Sequence, residues 1–140
     1  NASYLYSNVS LDETSVAQFT NSTSELEGAT PILINSDLTY NRKLKNDSFL
    51  TSTLILNYFS DRVYSIGTRG FENIIEKSIP TLDFVAKLNL NKKYNISLKG
   101  QNLLNPDFQI TREGASGGND VVLRDFKRGV NLSLGFGVTF

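Results

Sequence analysis

Residues 130–140 read V-N-L-S-L-G-F-G-V-T-F. Leu132, Leu134, Phe136, Val138 and Phe140 are apolar, and Asn131, Ser133, Gly135, Gly137 and Thr139 between them are small or polar. Strict alternation of this length is the period of a β-strand with one apolar face and one wet face. Ending on an aromatic residue, such a strand makes a sticky edge in a soluble protein. In a transmembrane β-barrel it is at home, because the apolar face meets lipid and the small polar face meets the lumen. The last strand of a soluble sandwich or lipocalin-like barrel is the competing reading of this segment.

Composition removes several classes of function. The 140 residues include no Cys and no His. A disulfide framework and a thiolate metal site are therefore excluded, and so are the commonest general base and metal ligand. Lys plus Arg equals Asp plus Glu at 14 each, which argues for neither nucleic acid nor an acidic substrate. No apolar run approaches the roughly 18 residues of a transmembrane helix, but barrel strands pass that test because only half their residues are apolar. The sequence has no Met and shows no charged and apolar leader, so a fragment, or a mature product lacking its beginning, is expected.

Six strands are predicted. The first, Ala2 to Leu11, carries Tyr4 and Tyr6 but alternates poorly. The second, Ile32 to Leu44, sets Ile32, Ile34, Leu38 and Tyr40 against Asn35, Asp37, Thr39 and Asn41. The third runs from Phe49 to Tyr58 or as far as Ile66, with Leu50, Leu54, Leu56 and Tyr58 opposite Thr51, Thr53 and Asn57. Pro80 opens the fourth, where Leu82, Phe84, Ala86, Leu88 and Leu90 alternate with Asp83, Val85, Lys87, Asn89 and Asn91. In the fifth, Tyr94, Ile96 and Leu98 alternate with Asn95, Ser97, Lys99 and Gln101, and the sixth runs from Val121 to the end. Asp12–Thr30, Gly67–Ile79 and Asn105–Asp120 read as long loops.

Long and short connections alternate, as in barrels with long extracellular loops and tight periplasmic turns. Apolar parity is unchanged across Lys45–Asp47 and Asn91–Lys93, which requires odd loops and fits three-residue hairpins. The C-terminus and both short turns should then lie on one side. Tyr40, Phe49, Tyr94 and Phe140 at that side, and Tyr58, Phe84 and Phe126 at the other, suit two aromatic girdles. Single-chain barrels start at about eight strands, so six belong to something larger.

From Pro31 onward the chain resembles the C-terminal end of a TonB-dependent outer-membrane receptor of the Bacteroidetes type. Asn102-Leu103-Leu104-Asn105-Pro106 resembles the family's N-L-x-N/D stretch closing the penultimate strand. Phe126-Lys127-Arg128-Gly129 resembles its aromatic-Lys-Arg-Gly entry to the last strand, and Ser133-Leu134-Gly135 with Phe140 its terminal motif. Val138 departs from the pattern, where the family usually has an aromatic residue. The resemblance implies an all-β fold, an antiparallel transmembrane β-barrel of 22 strands, with residues 1–140 supplying the last six and no plug domain. It implies import of a scarce nutrient (a metal chelate, vitamin, glycan or peptide) across the bacterial outer membrane. Its partners would be the lipid bilayer, the insertion machinery, TonB through a plug absent from this sequence, and a surface lipoprotein at the extracellular loops. No enzyme activity, cofactor or nucleic acid is expected. Leu132, Leu134, Phe136, Val138 and Phe140 would form the β-signal for insertion.

Asp37, Lys43, Asp83, Lys87 and Lys99 fall on the polar strand face, the lumen wall of a barrel or simply a solvated one. Asp12 with Glu13 and Glu25 with Glu27 lack calcium-loop spacing and read as solvated loop acids. Gly114-x-x-Gly117-Gly118 opens no helix and cradles no phosphate. The Asn-x-Ser/Thr triplets at Asn8, Asn21, Asn46, Asn95 and Asn131 read as accidental, and without His no Ser-His pair exists. Besides the transporter, two alternatives stand: a smaller outer-membrane barrel of structural or enzymatic role, and a soluble β-sandwich or ligand-binding barrel.

Overall fold

The alternating segments fold as strands, and so do parts of the connections. The structure, a computed structural model, describes residues 1–10, 18–115 and 118–139. These form β1 (Ala2–Tyr4), β2 (Val9–Ser10), β3 (Thr23–Ser24), β4 (Ile32–Lys43), β5 (Phe49–Phe59) and β6 (Arg62–Ser65). They continue with β7 (Ile74–Glu76), β8 (Ile79–Leu90), β9 (Tyr94–Gln101), β10 (Asp107–Arg112), β11 (Val121–Lys127) and β12 (Asn131–Val138). The fold is all-β with antiparallel sheets, and no α-helix forms among the described residues. Among the described residues no helix is long and apolar enough to cross a membrane.

One sheet has the order β1-β4-β5-β8-β9-β12, so the six predicted strands lie side by side in chain order. The sheet is open, with β1 and β12 as its edges. Its first member is much shorter than predicted. β1 pairs only over Ala2–Tyr4 with Ile32–Ile34, and Val9–Ser10 pairs instead with Thr23–Ser24 in a two-stranded ribbon. Poor alternation after Tyr6 explains the break, since a strand without a consistent apolar face has no fixed register.

The sixth predicted strand is two strands. Gly129 has φ of 81°, a left-handed conformation that interrupts extended backbone and suits glycine. Before it, β11 pairs with β10; after it, β12 pairs with β9. The predicted loops around Ile74–Glu76 and Asp107–Arg112 also hold strands, and β11-β10-β7-β6 make a four-stranded sheet. These runs are too short for periodicity to reveal, and their stability comes from pairing with one another.

The chain divides into two compact units. The first comprises Asn1–Ile34, Tyr58–Ile79 and Asp107–Lys127 and contains the four-stranded sheet. The second comprises Asn35–Asn57, Pro80–Pro106 and Arg128–Phe140 and carries most of the six-stranded sheet. Val63, Ile79 and Phe108 are the buried apolar side chains among the described residues, and all three belong to the first unit. Phe108 stacks on Phe126 at 5.4 Å between ring centres, so Phe126 packs within this unit and is no girdle residue of the six-stranded sheet. The second unit buries Ser48 and Gly100 but no large apolar side chain among its described residues.

Candidate functional site

In an antiparallel sheet directly opposite residues share a face. The register therefore assigns faces across β8, β9 and β12. Three apolar rows run Phe84–Gly100–Leu132, Ala86–Leu98–Leu134 and Leu88–Ile96–Phe136, and a fourth runs Leu90–Tyr94–Val138. Rows of the opposite face run Val85–Lys99–Ser133, Lys87–Ser97–Gly135 and Asn89–Asn95–Gly137. Apart from Val85, the second set is polar or small.

Side-chain hydrogen bonds extend the polar face. Thr39 Oγ1 lies 3.0 Å from Thr53 Oγ1, and Thr51 Oγ1 donates to Asn41 Oδ1 at 2.9 Å. Asn57 Nδ2 donates to Thr81 Oγ1 at 3.3 Å, joining β5 to β8. Asp37 and Lys43 share the parity of Thr39 and Asn41, while Asp83 and Lys87 share that of Thr81. All five predicted polar-face residues thus lie on one face, with no ion pair among them. Asp37, Lys43, Lys87 and Lys99 are exposed, whereas half-buried Asp83 accepts the Asn102 backbone N–H at 2.8 Å. The opposite face is apolar and most exposed towards its edges: Leu132 is 70% accessible, Leu134 77%, Phe136 70% and Leu38 72%, while Phe84, Leu88 and Ile96 between them are half-buried. Tyr94 stacks on Phe136 at 6.2 Å and Tyr40 is exposed on the same face, but Phe49 falls on the polar side by parity.

Both short turns are three-residue loops. Lys93 N–H donates to Leu90 O at 3.0 Å, and Leu44 N–H donates to Ser48 O at 2.8 Å. Each turn needs two left-handed residues: Asn46 and Asp47 have φ of 56° and 53°, and Asn91 and Lys92 have 51° and 57°. Asn and Asp tolerate that conformation because their side chains bond locally; Lys92 is the exception. The turns also meet. Asn91 N–H donates to the buried Ser48 Oγ at 3.2 Å, and Lys92 Nζ lies 3.0 Å from Asp47. Thr139 N–H donates to Lys93 O at 2.8 Å, bringing the end of β12 to the same place. The expected gathering of both turns and the last strand at one end is present. A concavity of about 580 Å³ opens beside them, lined by Lys43, Phe49, Asn89, Asn95 and Thr139 among others.

At the other end of β12 the two quoted motifs touch. Asn102 Nδ2 donates to Gly129 O at 2.8 Å, and Gly129 N–H donates to Asn105 Oδ1 at 3.0 Å. Both asparagines are left-handed, with φ of 55° and 44°. Leu103 N–H donates to Leu82 O at 2.8 Å, and Leu103 covers Gly100 together with Leu132. Of the β-signal residues, Leu132, Leu134, Phe136 and Val138 share the apolar face, and Phe140 lies outside the described residues.

The loop acids divide. Glu27 Oε1 accepts the Ile66 N–H at 2.7 Å and is structural, while Asp12 and Glu13 lie outside the described residues. Glu25 lines a cleft in the first unit with Asp61, Lys77 and Glu113, which the sequence pattern did not single out. No group of three or more His, Cys, Asp or Glu could hold a metal ion among the described residues. The chain matches no protein-family model, no curated protein and no solved structure at a significant level.

Proposed function

We propose that this chain is the C-terminal portion of an outer-membrane β-barrel transporter of the TonB-dependent kind, importing a scarce nutrient. The observation that carries the reading is the two-faced sheet. Aligned rows such as Ala86–Leu98–Leu134 leave large apolar side chains uncovered on one face, while the other carries hydrogen-bonded polar groups. Burying apolar surface contributes about 25 cal/mol per Å², so a face this apolar calls for a second medium, and lipid supplies it. A soluble sandwich would cover that face with a second sheet. The closed barrel, the missing strands and the plug belong to the rest of this proposal. So does recognition of Leu132, Leu134, Phe136, Val138 and Phe140 by the insertion machinery, in which backbone pairing of an edge strand supplies affinity and alternate side chains set register.

Since the chain has no Cys, single cysteines can be introduced at Leu134 and Ser133 and labelled with a fluorophore. With the chain in its complete barrel in lipid vesicles, the Leu134 label should be quenched by brominated acyl chains and the Ser133 label by aqueous iodide. The same quenching profile at both positions would sink the reading.

A further inference from the structure

We infer that the concavity beside the two short turns is a binding site for an acidic sugar, with the pyranose ring on Phe49, its hydroxyls on Asn89 and Asn95, and its carboxylate on Lys43. The concavity has a volume of about 580 Å³, and its lining residues all belong to the second unit. That size falls in the range of roughly 300–1,000 Å³ typical of small-molecule sites. The strands set the four side chains along one face. Leu44 N–H donates to Ser48 O, so Lys43 and Phe49 are opposite neighbours across the first hairpin. Asn89 pairs with Asn95, and Asn95 with Gly137. The Thr51–Asn41 and Asn57–Thr81 hydrogen bonds give Lys43, Phe49 and Asn89 the same parity, which is that of the polar face. Gly137 adds no side chain, and Asn95 beside it is exposed.

Two features point to a ligand of this class. The first is Phe49, a ring 45% exposed on the polar face, inside a concavity whose other walls are polar. An exposed apolar surface rimmed by polar groups marks a place where something binds, and a flat ring suits the C–H face of a pyranose. The second feature is the balance of donors and acceptors. The Asn89 and Asn95 amides and the Lys43 ammonium make no hydrogen bond or ion pair among the described residues. Each amide offers two N–H donors and a carbonyl acceptor. A bare phosphate or carboxylate would use only the donors, and an ammonium only the acceptors. Hydroxyl groups use both, since each donates and accepts.

Charge narrows the class further. Lys92 Nζ lies 3.0 Å from Asp47, so these two lining residues compensate each other, and Lys43 is the uncompensated charge of the wall. A carboxylate on the ring would meet it in a charge-assisted hydrogen bond. A hexuronate brings the apolar ring face, the hydroxyls and the carboxylate together in one molecule.

This inference concerns the polar face of the second unit and does not depend on the transporter reading. That the sugar is cargo would depend on it. The test is a titration of the full 140-residue chain with sodium glucuronate, in detergent micelles and without detergent. The readouts are amide NMR shifts of Phe49, Asn89 and Asn95 and saturation transfer from phenylalanine ring protons to the sugar. Saturable shifts are expected, with transfer to the C–H protons of the pyranose. Glucose, which lacks the carboxylate, should bind several-fold more weakly, and propionate, which lacks the ring, at least tenfold more weakly. Phe49→Leu, which keeps an apolar side chain and removes the ring, should lower glucuronate affinity at least fivefold, and so should Asn95→Ala. Lys43→Gln should abolish the preference for glucuronate over glucose, whereas Lys99→Gln, the same charge change elsewhere on the face, should leave it. Absence of a saturable shift, propionate binding as tightly as glucuronate, or unchanged affinity in Phe49→Leu would each overturn the site. Failure of the membrane reading would instead show as a folded chain that needs no detergent.

Discussion

Asn102 and Gly129, 27 positions apart, are joined by a 2.8 Å hydrogen bond from the Asn102 Nδ2 to the Gly129 carbonyl. Asn105 takes the N–H of the same glycine, so the two peptide groups flanking Gly129 are both held at the entrance to β12. A Cβ on Gly129 would meet open space, so the obstacle to substitution there is its φ of 81° alone. Gly129→Ala should destabilise by about 1–2 kcal/mol through left-handed strain. Asn102→Ala should cost about 1–3 kcal/mol, from the one lost side-chain bond and the same conformational preference. Because both changes act on the same contact at Gly129, the double variant should cost less than their sum by about 0.5 kcal/mol or more. Urea titration of the refolded chain would measure all three, and strict additivity would deny the clamp.

Neighbouring residues on β12 should respond oppositely to charge. Leu134 and Ser133 are both exposed, and they differ in face: Leu134 pairs with Leu98, Ser133 with Lys99. On the proposed reading, Leu134→Arg places a guanidinium against lipid and should cost about 2–4 kcal/mol near the bilayer midplane. Ser133→Arg should change stability by less than about 0.5 kcal/mol, as ordinary surface substitutions do. Equal losses in vesicle refolding would count against the assignment of faces.

Much of the six-stranded sheet was legible because its strands are long and strictly alternating. Leu82 to Leu90, Tyr94 to Leu98 and Leu132 to Val138 each establish a face without reference to anything distant. The shared parity across Asn91–Lys93 was enough to infer its three-residue loop, and the left-handed Asn91 and Lys92 bear that out. The second sheet was not legible. Ile74–Glu76 and Asp107–Arg112 span too few residues for a period, and β7 becomes a strand by lying between β6 and β10. The break at Gly129 was hidden because Val121, Val122 and Leu123 already read as the start of the strand that Val130 continues. The cleft was hidden for another reason: Glu25 and Glu113 are far apart in sequence, and nothing local marks either as more than a loop acid.

The contact between the two short turns allows a buried and an exposed interaction to be compared. Ser48 is 4% exposed, and its Oγ accepts the Asn91 N–H. Ser48→Ala would leave that donor unsatisfied and should cost about 1–3 kcal/mol. Asp47 and Lys92 form a salt bridge between side chains 62% and 79% exposed. Such pairs contribute about 0–1 kcal/mol and are screened by salt, so Lys92→Gln should change stability little. If Lys92→Gln proved the more damaging, the turn contact would owe more to charge than to the serine.

Glu113 should make the first unit respond to pH in an unusual direction for an acid. Its carboxyl is raised above the ordinary glutamate range by burial and then by Asp120 and Glu72. A raised folded pKa means that the folded state disfavours the ionised form more than the unfolded chain does. The group's most favourable contribution is therefore present below the unfolded value of about 4.3, and it is lost as pH rises through the folded value. Asp120 runs the other way. Its hydrogen bond to Lys77 lowers its pKa, so its contribution is present above the unfolded value of about 3.9 and is lost as pH falls through the folded one. Glu113→Gln should accordingly stabilise the chain at pH 7 and lose that advantage near pH 4, while Asp120→Asn should destabilise it at pH 7 and have little effect near pH 3. Denaturant midpoints of the three proteins across pH 3–8 would check both signs. A Glu113→Gln variant less stable than the parent at pH 7 would show that the carboxylate has a favourable partner there.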